Sequence, residues 1–150
     1  MNNIKQPLLD AFEKEVKQNG YGTSLNMYQR LATGTAIYPG QGTPLGLVYV
    51  ALKGAGEAGE FAEHVGKAMR DDGLICDETP CQDIELQQRS HQLTSERREL
   101  LIKEIGDELW YLAAKCNELD ITLAEAALIN VLKLKDRQER GTLRGSGDSR

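Results

Sequence analysis

Residues 43–70 read TPLGLVYVALKGAGEAGEFAEHVGKAMR, and this stretch decides the fold. Thr43 before Pro44 is a helix start: Thr suits the N-cap, and Pro is tolerated in the first turn, where its missing N–H costs nothing. No strong breaker follows before Arg70, so the spacing predicts a helix of 27 residues (44 to 70). Such a helix is roughly 40 Å long at ~1.5 Å per residue. Five glycines interrupt it (46, 54, 56, 59 and 66), each costing about 1 kcal/mol against Ala where exposed. Ala55, Gly59, Ala62 and Gly66 share one stripe, which predicts close approach of another helix. Phe61, Val65 and Met69 form a bulkier apolar strip beside it. Gly46 and Gly54 are not accounted for by this periodicity, and a kink there is an expectation.

The opposite face carries Lys53, Glu57, Glu60, His64 and Lys67. Residues three apart on a helix are neighbours, so Glu57 and Glu60 aim the same way. A second acid pair, Glu104 and Asp107, stands in Lys103-Glu104-Ile105-Gly106-Asp107-Glu108. It belongs to another predicted helix, from Thr94 or Ser95 to about Glu118. The expected core face of that helix is Leu101, Ile105, Leu109, Leu112 and Cys116, and its acidic face adds Leu100, Glu108 and Tyr111. Two helices can therefore turn four carboxylates toward one point. Gathering them costs repulsion unless a cation compensates. Oxygen-only ligands suit Mg²⁺, with Mn²⁺ a substitute, and such ions commonly serve phosphate chemistry.

The remaining chain reads as helix and loop, with no strand. Amphipathic stretches run from about Leu8 to Val16, stopping near Asn19-Gly20, and from about Ser24 to Thr35. Pro39, Gly40 and Gly42 mark a loop. Residues 71 to 92 are the least regular, with turns at Asp71-Asp72-Gly73 and Thr79-Pro80 and a short helix expected from about Gln82 to Ser90. Thr122-Leu123-Ala124-Glu125 fits a capping box and opens a last helix expected to reach Arg140 and stop at Gly141. Leu123, Ala127, Val131 and Leu134 make its apolar stripe, and Asn130, Lys133 and Arg137 share another face. Cations there suit phosphate oxygens. The expectation is an all-α helical bundle, one domain over 1–150, with a polar tail at 141–150.

Composition narrows the function classes. Only eight of 150 residues are aromatic, so the core rests on aliphatic side chains and a monomer's core is thin, which favours oligomerisation. The net charge is −5, with no basic run, so no nucleic-acid partner and no membrane surface is expected. No stretch approaches the roughly 18 apolar residues of a membrane span. The N-terminus lacks the apolar core of a signal peptide. The three cysteines form no CxxC pair and read as free thiols in a reducing cytoplasm. No acid precedes His64 or His91 by three, which argues against a di-iron bundle. Gly66-Lys67-Ala68 is not a P-loop. His64 reads as a partly buried histidine, His91 as exposed, and Trp110 as packing or interface.

Taken together, Glu57-x-x-Glu60 and Glu104-x-x-Asp107 resemble the signature of the MazG-like, all-α nucleoside triphosphate pyrophosphohydrolases. The flanking words agree: Gly56-Glu57-Ala58-Gly59-Glu60-Phe61, then Lys103 through Tyr111, then Asn130-Val131-Leu132-Lys133-Leu134-Lys135-Asp136-Arg137. The resemblance covers about residues 24 to 148. It implies a dimer or dimer of dimers (tetramer) and Mg²⁺-dependent hydrolysis of an NTP or dNTP to the monophosphate and pyrophosphate by a metal-activated water. It implies Glu57, Glu60, Glu104 and Asp107 as metal ligands. It implies Asn130, Lys133 and Arg137 as substrate contacts, to which Lys53, Lys67 and Tyr111 add themselves by position. Thr35-Ala36-Ile37-Tyr38-Pro39 resembles a segment near the nucleoside end. The gap between Glu60 and Glu104 exceeds the family pattern, so residues 71–92 read as an inserted loop. Viral members of the family make a phage origin, and hence a host cytoplasm, an open reading. The alternative is a non-catalytic, metal- and nucleotide-binding helical sensor, or an adaptor bundle whose acids face solvent.

Overall fold

In the computed structural model, residues 6–19, 24–74 and 93–142 are described. Their regular elements are all helices: α1 (Gln6–Asn19), α2 (Ser24–Thr33), α3 (Pro44–Asp71), α4 (Ser95–Glu118) and α5 (Leu123–Glu139). The expected short helix at 82–90, the core of the 71–92 insertion, Cys76, Cys81, His91 and most of the polar tail lie outside the described residues. The α1 helix begins two residues before its apolar stretch and ends at Asn19, where the stop was expected. The α2 helix ends two residues short of Thr35. No described helix is long and apolar enough to cross a membrane.

The chain groups into two compact units. One comprises Met1–Leu47 and Ala113–Arg150, the other Val48–Leu112. In the first, α1 and α2 pack on α5. Leu9, Ala124 and Leu128 form the buried centre, with Leu25 and Val131 against it. Two buried amides tie α2 to the start of α5. Asn26 Oδ1 accepts from the Ala124 N–H at 3.0 Å, and Gln29 Oε1 from the Leu123 N–H at 2.7 Å. These are helix N-terminal N–H groups with no partner inside their own helix. Gln29 Nε2 donates to Asn117 Oδ1 at 2.7 Å and to the Ile121 carbonyl at 3.1 Å.

Helix ends follow their sequence signals. Thr122 and Glu125 form the reciprocal capping box. The last turn of α5 closes with Thr142 N–H on the Arg137 carbonyl (2.8 Å) and Gly141 at φ 68°. The α4 helix ends the same way, Ile121 N–H bonding the Cys116 carbonyl at 3.0 Å, with Asp120 at φ 52° in the place glycine usually takes. At the start of α3 the Thr43 carbonyl accepts from Leu47 N–H, while the Thr43 hydroxyl donates back to the Gly40 carbonyl at 2.7 Å.

Gly46 acquires a reason here. A Cβ on it would meet the Gly40 carbonyl oxygen at 2.4 Å and Glu118 Oε2 at 2.7 Å. The carboxylate of Glu118 takes hydrogen bonds from the Tyr38 hydroxyl and from Gly42 N–H, so the 34–43 loop is tied to the end of α4.

In the second unit α3 and α4 run antiparallel, since Glu57, His64 and Asp72 meet Asp107, Glu104 and Arg97 in that order. Val50, Ala68 and Leu101 are buried. The expected core face of α4 is only half realised. Leu101 and Cys116 are buried, but Ile105 is 53% exposed and Leu112 47%. Periodicity identified the stripe but placed it on the wrong flank of the buried line. Ala55, Gly59, Ala62 and Gly66 are all exposed, and a Cβ at Gly59 or Gly66 would meet nothing within 4 Å. Among the described residues, therefore, no helix makes the close approach that stripe predicted.

Candidate metal centre

The acidic site is built on α3 and α4 inside the second unit. Glu57, Glu104 and Asp107 each offer a carboxylate oxygen, and these oxygens lie within 4.8 Å of one another. Spacing explains why α4 supplies two of them: positions three apart share a face. Glu60 lies outside that group and is exposed. It remains near enough to act on Glu57 electrostatically. Glu57 is pushed up from its ordinary range by burial first, then by the charges of Glu60 and Asp107. Lys53 opposes the shift, and Glu104 adds to it. Burial and the neighbouring carboxylates both disfavour its charged form.

The three-carboxylate donor set fits a hard divalent cation: it contains oxygen only, with no thiolate or imidazole in the group. Glu104 is the most enclosed of the three, at 9% exposure.

Beside the acids is a cleft of about 390 Å³ lined by Glu57, Asp107, Trp110 and Tyr111. The two aromatic rings meet edge to face, 4.9 Å between centroids at 80°. Burial, with the charges of Glu57 and Asp107 and the neighbouring Tyr49, pushes the Tyr111 hydroxyl up.

Other expected site residues are distributed as follows. Lys53 is exposed one turn before Glu57. Lys67 pairs with Glu63 at 2.6 Å. On α5, in the first unit, Asn130 and Lys133 are exposed, whereas Arg137 is buried at 5%. The shared face of those three thus divides between solvent and core. Tyr38, in the segment expected near the nucleoside end, is buried and bonded to Glu118.

One participant was not singled out by its spacing. Arg97 forks onto Asp72 (Nε to Oδ2 2.7 Å, Nη2 to Oδ1 3.2 Å) and reaches His64 Nδ1 at 3.2 Å. His64 Nε2 in turn lies 3.6 Å from Glu104 Oε1. Nothing in the linear spacing of 64, 72, 97 and 104 signals this line of contacts, because it depends on how the two helices align.

The model of the MazG nucleotide pyrophosphohydrolase domain matches residues 50–142. The chain belongs to this family. The match spans both acid pairs and the whole of α5. A phage protein is also similar. Over 130 residues the chain is 40% identical to the Gene 37 protein of Mycobacterium phage L5, covering 84% of this chain and 98% of that protein. No solved structure matches. The family sets the acids of α3 and α4 in the context of nucleotide pyrophosphohydrolases.

Proposed function

We propose that this chain hydrolyses a nucleoside or deoxynucleoside triphosphate to the monophosphate and pyrophosphate, controlling or cleansing a nucleotide pool. The observation that carries this reading is the convergence of Glu57, Glu104 and Asp107 within 4.8 Å, on the segment matched by the family model. Those three residues, with Glu60 at the margin, would hold Mg²⁺, or Mn²⁺ in its place. When bound, the ion supplies charge neutralisation for the polyphosphate and acidifies water for attack on the anhydride.

The chain's own residues do the rest. The carboxylates fix one end of the site on two antiparallel helices. Tyr111 and Trp110 wall the adjoining cleft and exclude water from one side of it. Lys53 offsets part of the negative charge at Glu57 and is free of the Glu63 pairing that occupies Lys67. Lys133 and Asn130, exposed on α5, and Arg137, buried on the same helix, are the further substrate contacts we assign.

We further propose that the chain works as a dimer or tetramer. Val48, Leu52, Ile102, Ile105 and Leu112 are large apolar side chains exposed in the second unit, and apolar surface of this extent favours association. The phage relative supports a host cytoplasm as the place of action.

A panel of NTPs and dNTPs with Mg²⁺, read by pyrophosphate release, tests the reading. Release from at least one member is the expected result. Cation-dependent stabilisation without release from any of them would favour the sensor alternative.

A further inference from the structure

His64 lies between a proposed metal ligand and a charged pair that plays no other part in the site. Arg97 is always charged and has only donors. Its Nη1 stands 3.2 Å from His64 Nδ1, so that ring nitrogen must accept. The hydrogen of the imidazole then sits on Nε2, the atom that faces Glu104 Oε1 across 3.6 Å. Asp72 grips the opposite edge of the Arg97 guanidinium through two contacts, which fixes the fork in place. All four side chains are mostly enclosed, from 11% exposure for Glu104 to 19% for His64 and Asp72.

We infer that His64 is a positioning residue for Glu104: the Asp72–Arg97–His64 line sets the ring so that Nε2–H points at the carboxylate and holds it in the orientation a divalent cation needs. The inference rests on the metal reading given above. The 3.6 Å separation is just longer than a hydrogen bond. Catalytic contacts are often long before ligands bind and tighten afterwards, and a shift of well under 1 Å closes this one. Hydrogen-bond partners of this kind fix the orientation and basicity of metal-ligating groups. The line also explains why an arginine on α4 is enclosed beside a histidine, which a solvated salt bridge alone would not require.

Two measurements on the full chain test it. Long-range ¹H–¹⁵N correlation spectra of the metal-free protein report which nitrogen of His64 carries hydrogen. The expected result is the Nε2–H form in the wild type and a mixture of forms in Arg97→Met. An Nδ1–H form in the wild type, or an unchanged spectrum in Arg97→Met, overturns the inference. Mn²⁺ affinity, measured by water-proton relaxation, should fall by about ten- to a hundredfold in His64→Phe. His64→Gln, whose amide reaches the Nε2 position, should recover much of that loss. Mn²⁺ binding by the wild type and by His64→Phe with equal affinity overturns this inference alone. No Mn²⁺ binding by the wild type overturns the metal reading and this inference with it. If His64→Phe fails to fold, the wild-type spectrum still decides.

Discussion

The Tyr38 hydroxyl donates to the Glu118 carboxylate, 80 residues away in sequence, and so fastens the loop before α3 to the end of α4. Burial above all, then the hydrogen bond and the charge of Glu118, push the Tyr38 hydroxyl up to about 12. A free tyrosine titrates near ~10, so the folded chain holds this proton more tightly than the unfolded chain does. The sign follows: the contribution to stability is complete below about pH 10 and is lost as pH rises through about 12. Urea melts of the wild type should show this alkaline loss, and Tyr38→Phe should flatten it while costing about 1 kcal/mol at neutral pH.

Two glycines of α3 should respond oppositely to alanine. At Gly46 the added methyl would meet backbone oxygen at 2.4 Å and the Glu118 carboxylate at 2.7 Å, so Gly46→Ala should cost roughly 1–3 kcal/mol through overpacking. At Gly56 nothing among the described residues lies within 4 Å of the added methyl, and Gly56→Ala should gain about 0.5–1 kcal/mol from helix propensity. Thermal melts of the pair at one protein concentration check both signs together.

The acids should separate into two grades. Glu57→Gln, Glu104→Gln and Asp107→Asn should each abolish pyrophosphate release and the rise in melting midpoint produced by Mg²⁺ or Mn²⁺. That rise corresponds to about 2.7 kcal/mol when the ion is present at ~100 times its dissociation constant. Glu60→Gln should retain part of both, because Glu60 lies outside the converging group. Equal losses in all four variants would bring Glu60 into the ligand set.

At the start of α5, Thr122→Ala removes the hydroxyl half of the capping box and leaves the backbone N–H of residue 122 on the Glu125 carboxylate. The expected cost is about 1 kcal/mol. The hydrogen bonds from Thr122 hold Glu125 below its ordinary range. A lowered carboxyl stabilises above its unfolded pKa and loses that contribution as pH falls. The difference between Thr122→Ala and the wild type should therefore shrink in acid, measured by melts across pH 3–7, roughly spanning the carboxylate range.

What was legible in the sequence was local. Thr43-Pro44, Thr122 with Glu125, and Gly141 are short-range signals, and α3 and α5 begin or end where those residues put them. The acid pairs were legible for the same reason: three residues along a helix is a fixed geometric relation. What failed was alignment between elements. The stripe containing Ile105 and Leu112 was correct as a stripe, but which of two adjacent stripes is buried depends on the neighbouring helix. Spacing alone also does not separate Glu60 from Asp107, since each stands three residues from its partner acid, yet only Asp107 falls in the group of converging oxygens. Gly46 made no sense along the chain because its reason, Glu118, arrives from another helix. Asn26 and Gln29 looked like ordinary polar residues of an amphipathic helix, and nothing nearby in sequence shows that their partners lie at the end of α4 and the start of α5.

The buried amide of Gln29 has a consequence for what this position can tolerate. It gives at one end and takes at the other, answering a carbonyl and a side-chain oxygen on one side and a backbone N–H on the other. A glutamate there would set oxygen against oxygen, and an asparagine would be one methylene short. Hydrolytic ageing of that single amide would therefore unfasten the corner where α2, α4 and α5 meet, one added negative charge undoing three hydrogen bonds.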